Sequence, residues 1–286
     1  MKSMSLCSLL FLMPLLGVPV SVMGSPDQSS DGGVLEIAPA FPVFVRGEPI
    51  QFLLKVRNTG DKDIQINLGA DGTGNLHVTV TGDGGDVTPA HPEYTGFRLL
   101  VVLQVPPAGV CSPQPFLLDD FIRIDEPGDY RLSVRVDKLA TTTEFRILPD
   151  TESARLLLKE RYAGLFKKWH IYQPPSELSI MRNALIFSRH PLAFDIQRTL
   201  VEQREWRDYK ECKSLVNTML QSHSKEAIQA LITGILAHPD ADALEKAYVL
   251  NPLREADMEK WPKPVHELLR PYRDAIKNSV PMRISG

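Results

Sequence analysis

At Leu148-Pro149-Asp150 the spacing of apolar residues changes from two to 3.6, and that change divides what the chain can fold into. Before it, Tyr130, Leu132, Val134 and Val136 alternate with Arg131, Ser133 and Arg135, as in a strand packed on one face. After it, Leu158, Tyr162, Leu165 and Trp169 recur at helical spacing. Pro149 cannot continue a strand ladder, whereas Asp150 or Thr151 can cap a helix. The expected class is α+β in separate domains, with antiparallel sheet over residues 34–149 and helices over 150–286.

Within the first half, Val34–Ala38 reads as a short strand and Ile50, Phe52, Leu54 and Val56 as the apolar face of the next. Ile64, Ile66 and Leu68, then Leu76, Val78 and Val80, repeat the pattern around a Gly-rich loop. Phe97–Val105 reads as a strand buried on both faces or lying at the domain interface, and Glu144–Leu148 as the closing strand, for about eight strands in all. Pro127-Gly128 is a turn dipeptide that opens the Tyr130 strand. Beyond Pro149, Tyr162 and Trp169 are expected to face the sheet half, and no strand pattern returns.

The stretch Glu126-Pro127-Gly128-Asp129-Tyr130-Arg131-Leu132 resembles the acid-x-small-x-Tyr-x-apolar pattern of immunoglobulin-type domains. That resemblance implies an Ig-like β-sandwich in which the Tyr130 hydroxyl bonds back to the backbone at a sheet corner. Leu132 stands where antibody domains place cysteine, so the wider sandwich class is implied and not an antibody-type domain. Gly47-Glu48-Pro49-Ile50 through Asn58-Thr59-Gly60-Asp61 is also similar to the opening of Ig-like modules in secreted bacterial proteins. In the second half, Phe187–Arg198 aligns with Ile235–Lys246 at an offset of 48, matching His190-Pro191 to His238-Pro239. Units of roughly 40 to 47 residues are the size of HEAT-type repeats, so this half resembles a short HEAT-like stack, with an irregular helical bundle as the alternative. Gly128, Tyr130, Leu132 and Pro149 are therefore marked as structural positions.

Met1-Lys2, an apolar run over Leu9–Val20 and Val22-Met23-Gly24 before a polar stretch form the layout of a secretory signal. Cleavage near Gly24 is expected, followed by a flexible linker over residues 25–33 and a periplasmic or secreted location. A membrane span needs ~20 apolar residues, and Pro14, Gly17 and Pro19 interrupt this run; no span is expected after cleavage. Residues 25–149 hold 17 acidic against 10 basic side chains and residues 150–286 hold 18 against 21, too small a basic excess for a nucleic-acid partner. Cys111 and Cys212 could stay free or form one interdomain bridge, and unpaired thiols are expected.

Few residues invite chemistry. His190 and His238 each precede a proline suited to the first position of a helix, and stacked helices would keep the two rings from one metal. Asp71, Asp83 and Asp86 lie in Gly-rich loops that lack the calcium-loop pattern and read as hairpin turns. Asp119-Asp120 reads as a solvated strand end. No Gly-x-Ser-x-Gly, His-Glu-x-x-His or paired-cysteine spacing is present. No catalytic, cofactor or metal residue is assigned. The expected role is an exported, non-catalytic binding or adaptor protein for a protein or peptide partner. The alternatives are a hydrolase with its site between the domains, for which His77 or His91 would have to meet Asp119 or Asp120, and a proteinase-inhibitor-like module.

Overall fold

Alternating residues can bury one face of an extended chain, and in the computed structural model this alternation builds three sheets, followed by helices. The structure describes residues 32–70, 75–87, 100–112, 115–169, 171, 175–256 and 260–279. The strands are β1 (Gly33–Pro39), β2 (Phe44–Val45), β3 (Gln51–Asn58), β4 (Ile64–Ala70), β5 (His77–Gly82), β6 (Gly85–Val87), β7 (Leu100–Val105), β8 (Val110–Cys111), β9 (Phe116–Leu117), β10 (Gly128–Val136) and β11 (Leu139–Leu148).

One sheet runs β1-β3-β8, with β9 also on β3; a second runs β2-β11-β10-β5-β6; β4 and β7 form a third. All pairs are antiparallel except β2 with β11, which is parallel at Phe44–Ile147 and Val45–Leu148. This departs from the wholly antiparallel expectation because β2 lies beside the end of β11, where the chain leaves for the helices. The inward residues of the sheets share one hydrophobic cluster that includes Leu35, Leu68, Ile122 and Leu132. At its centre Phe52 stacks on Phe116 at 5.7 Å and meets Phe145 edge-on at 5.3 Å. The Tyr130 hydroxyl donates to Glu126 O at 2.8 Å, and its ring stacks on Phe145. Gly128 opens β10, Leu132 is fully buried, and Pro149 follows β11 directly.

The helices are α1 (Glu152–Lys167), α2 (Pro175–Ile186), α3 (Phe194–Gln203), α4 (Tyr209–Ser222), α5 (Lys225–Leu231, continued by a π turn over Ile232–Leu236), α6 (Ala243–Glu255), α7 (Lys263–Leu269) and α8 (Arg273–Lys277). Thr151, Asp208, Ser224 and Asp242 each cap a helix by accepting backbone N–H groups, and Asp242 with Glu245 closes a capping box. The helices bury a second cluster, to which the sheet half contributes Val45 and Leu148. No described helix is long and apolar enough to cross a membrane.

Three expectations need correction. β7 is not buried on both faces: it pairs with β4 alone and Val102 is half exposed, because these two strands form a sheet of their own. Trp169 does not face the sheet half; its ring lies under the Arg182 guanidinium at 4.8 Å, inside the helical cluster. Asp119 is no solvated strand end but part of a 3-10 turn over Leu118–Asp120 that reaches the helices. Phe97–Leu99, His91 and Asp71 lie outside the described residues.

Candidate functional site

The two halves meet through charged side chains. Glu48 follows the turn after β2 and is buried, where it pairs with Arg161 of α1 and accepts the Val45 N–H at 3.0 Å. Arg161 also donates to Val43 O at 3.1 Å and lies 4.2 Å from the centre of the Phe41 ring. Burial pushes the Glu48 carboxyl up, while Arg161 and the Val45 amide draw it back. Nearby, the buried Gln51 donates to Ile180 O of α2 at 3.1 Å. Asp119 accepts the Ile50 N–H at 3.0 Å and Arg189 at 2.9 Å, and Asp120 accepts Lys210 of α4 at 2.7 Å. Burial raises the Asp119 carboxyl, and Arg189 opposes it.

Beside this joint is a cavity of about 430 Å³ lined by Arg46, Gly47, Arg123, Asp125, Asp150, Arg189, His190 and Pro191. Gly47 holds φ at +86°, a conformation glycine adopts freely, and this turn lets its carbonyl accept the Arg189 N–H at 2.8 Å. A Cβ there would meet the His190 backbone at 3.4 Å, an ordinary van der Waals contact, so the positive φ alone favours glycine. Thr151, not Asp150, caps α1, so the Asp150 carboxylate is free to accept from Arg155 Nε at 2.6 Å and Nη2 at 2.7 Å and from His190 Nε2 at 3.2 Å. Arg155 first, then His190, hold the Asp150 carboxyl far below the usual carboxylate range.

His190, Asp150 and the nearby Ser188 invite comparison with a hydrolytic triad, and the hydrogen bonds decide against it. His190 Nδ1 accepts the Leu192 N–H at 3.2 Å, which assigns the remaining ring proton to Nε2, the atom facing Asp150. Neither ring nitrogen is left to take a proton from a nucleophile. The Ser188 hydroxyl is itself fully buried, 2.5 Å from the Tyr162 hydroxyl. Burial drives the Tyr162 phenol well above its ordinary value.

Of the pairs that the hydrolase alternative requires, those with His77 do not form, and His91 lies outside the described residues. His77 is exposed on β5, opposite Arg135, and does not line the cavity; Asp119 and Asp120 are held by Arg189 and Lys210. His238 repeats the local geometry of His190, accepting the Asp240 N–H at Nδ1. Cys111 and Cys212 are free thiols, and burial pushes the Cys212 thiol up to about 12, where it stays protonated. Asp83 lies in the tight turn joining β5 to β6, and no cluster of metal-ligating side chains occurs among the described residues. Sequence reasoning missed Arg46, Arg123, Asp125 and Arg189. Nothing in the sequence brings Arg46 near Arg189.

No family model and no curated protein matches the chain. Parts of it are similar to solved structures. A β-glucosidase from Listeria innocua shares 14% identity over 40% of this chain and 16% of that one, with a TM-score of 0.26. The CARDB domain of a Pyrococcus furiosus protein, in complex with di-metal ions, shares 14% over 47% and 100%, with a TM-score of 0.25. The Pseudomonas fluorescens alkylpurine DNA glycosylase AlkC shares 12% over 40% and 30%, also at 0.25. At such TM-scores they assign neither fold nor activity to this chain.

Proposed function

We propose that the chain is an exported, non-catalytic binding or adaptor protein, an Ig-like β-sandwich followed by a HEAT-like helical domain, which recognises a protein or peptide in the bacterial envelope or outside it. The observation that carries the reading is the state of His190. The histidine in the cleft between the halves spends one ring nitrogen on a backbone amide and the other on Asp150, which Arg155 already neutralises. Side chains that in a hydrolase would be poised to react are here bound to one another and to the backbone within the helical half.

The Tyr130–Glu126 bond supports the sandwich class, being the corner bond that the resemblance implies. The recurrence before α3 and before α6 of a His-Pro turn whose ring Nδ1 accepts the N–H two residues on supports a repeated helical unit. The signal layout over Met1–Gly24 supports export.

The test is to immobilise the chain from residue 25, capture binders from the envelope fraction of its source, and reconstitute each with purified components. A purified protein or peptide that binds in solution supports the reading. Turnover of an ester, peptide or glycoside that His190→Ala abolishes would overturn it.

A further inference from the structure

We propose that the cavity between the halves is a binding site for a single carboxylate carried by a peptide, with Arg46, Arg123 and Arg189 as its anion-facing groups; this rests on the peptide-binding reading above and names the chemistry of its site. The cavity wall presents three guanidiniums against two carboxylates, Asp125 and Asp150, so one positive charge is left over. Just behind the wall Arg155 and Asp119 are each paired within the network and cancel one another, which leaves the excess unchanged.

That excess is placed by geometry. Arg189 is fixed between Asp119 at 2.9 Å and Asp125 at 3.5 Å, both through Nη2, and Arg123 reaches Asp125 at 2.8 Å through Nε. A guanidinium carries five N–H donors in a rigid fork, so both side chains are held in position with donors to spare. Arg46 is exposed and enters no ion pair among the described residues. Its backbone N–H bonds Leu148 O at 3.0 Å, so the residue is anchored while its side chain is available.

The same charges choose among anions. A phosphate dianion would bring two negative charges beside Asp125 and Asp150, with one excess positive charge to meet them, whereas a carboxylate matches that excess and the planar fork of arginine. A volume of about 430 Å³ lies at the small end of ligand cavities and accommodates a peptide end or one acidic side chain.

The test uses the ¹⁵N-labelled chain from residue 25 and three probes followed by nuclear magnetic resonance. They are N-acetyl-Ala-Ala with a free terminal carboxylate, N-acetyl-glutamate amide with a side-chain carboxylate alone, and N-acetyl-Ala-Ala-amide with none. Saturable shifts of Gly47 and His190 and of the Arg189 Nε–H with either acid, and none with the amide, are expected, and the two acids tell a chain end from a side chain. Arg46→Gln and, independently, Arg123→Gln should each weaken the acid by about tenfold, the loss of one charge-assisted hydrogen bond; Lys225→Gln, which removes an exposed cation at the start of α5, should leave it unchanged. Equal shifts with the amide, tighter binding of inorganic phosphate, or full affinity in both arginine variants would overturn the site. A purified partner that binds Arg46→Gln and Arg123→Gln unaltered would overturn the site and leave the binding reading standing, whereas acid binding with no partner found would do the reverse.

Discussion

Tyr130 and Asp150 show how much one polar side chain settles. The Tyr130 hydroxyl reaches a backbone carbonyl only four residues upstream, so the bond is local and its residues were legible in the sequence as a motif. Replacing Tyr130 by Phe removes one hydrogen bond and leaves the stack on Phe145, and a loss of ~1 kcal/mol in chemical denaturation is expected. Asp150 was legible only as a helix cap; its bond to His190 crosses 40 positions, which no local pattern records. Its carboxyl sits far below the ordinary value of 3.8 because Arg155 and His190 hold the charged form. The unfolded chain regains the ordinary value, so this stabilisation is fully present above 3.8 and is lost as pH falls below it. Asp150→Asn should therefore be less stable than the parent near pH 6, with the gap between their denaturation midpoints narrowing toward about pH 3. A gap that stayed constant across that range would show that charge at Asp150 is irrelevant to folding.

Two helical glycines separate packing from propensity. At Gly234, in the π turn after α5, an added Cβ would lie 2.1 Å from Val201 O of α3, and Arg204 closes the same approach by donating to Gly234 O at 2.8 Å. Gly234→Ala must force these two segments apart, and a loss of at least ~3 kcal/mol in a guanidinium melt is expected. Gly164, on the exposed face of α1, has nothing within 4 Å, so Gly164→Ala should stabilise by up to ~1 kcal/mol in the same assay through helix propensity alone. The sequence distinguishes neither case, since both read as a glycine in a helical pattern. Element type, by contrast, was legible wherever a period ran long enough: β3, β5, β10 and α1 fall where spacing puts them. The short strands β2, β6, β8 and β9 carry two or three residues each, too few to display a period, and are fixed by partners distant in the chain.

On the scale of the whole molecule, the two apolar clusters are distinct, yet Val45 and Leu148 belong to the helical one and Glu48 finds its countercharge on α1. The intact chain should unfold in one calorimetric transition. Arg161→Ala leaves the Glu48 carboxylate buried without a countercharge, and a cost on the order of 3–5 kcal/mol is expected, together with separation of the single transition into two. Residues 34–149 alone should still give a cooperative β-type melt at a lower temperature, because their own cluster keeps its members; a disordered fragment would mean that α1 belongs to that core. The parallel pairing of β2 with β11 also sets an order of events during synthesis. Phe44 and Val45 leave the ribosome early, but their partners Ile147 and Leu148 are made only after every other described strand. Those late residues lead through Pro149 into α1, and Arg161 arrives last of all. The nascent first half must therefore wait with an open sheet edge and an unanswered Glu48 until the first helix is born.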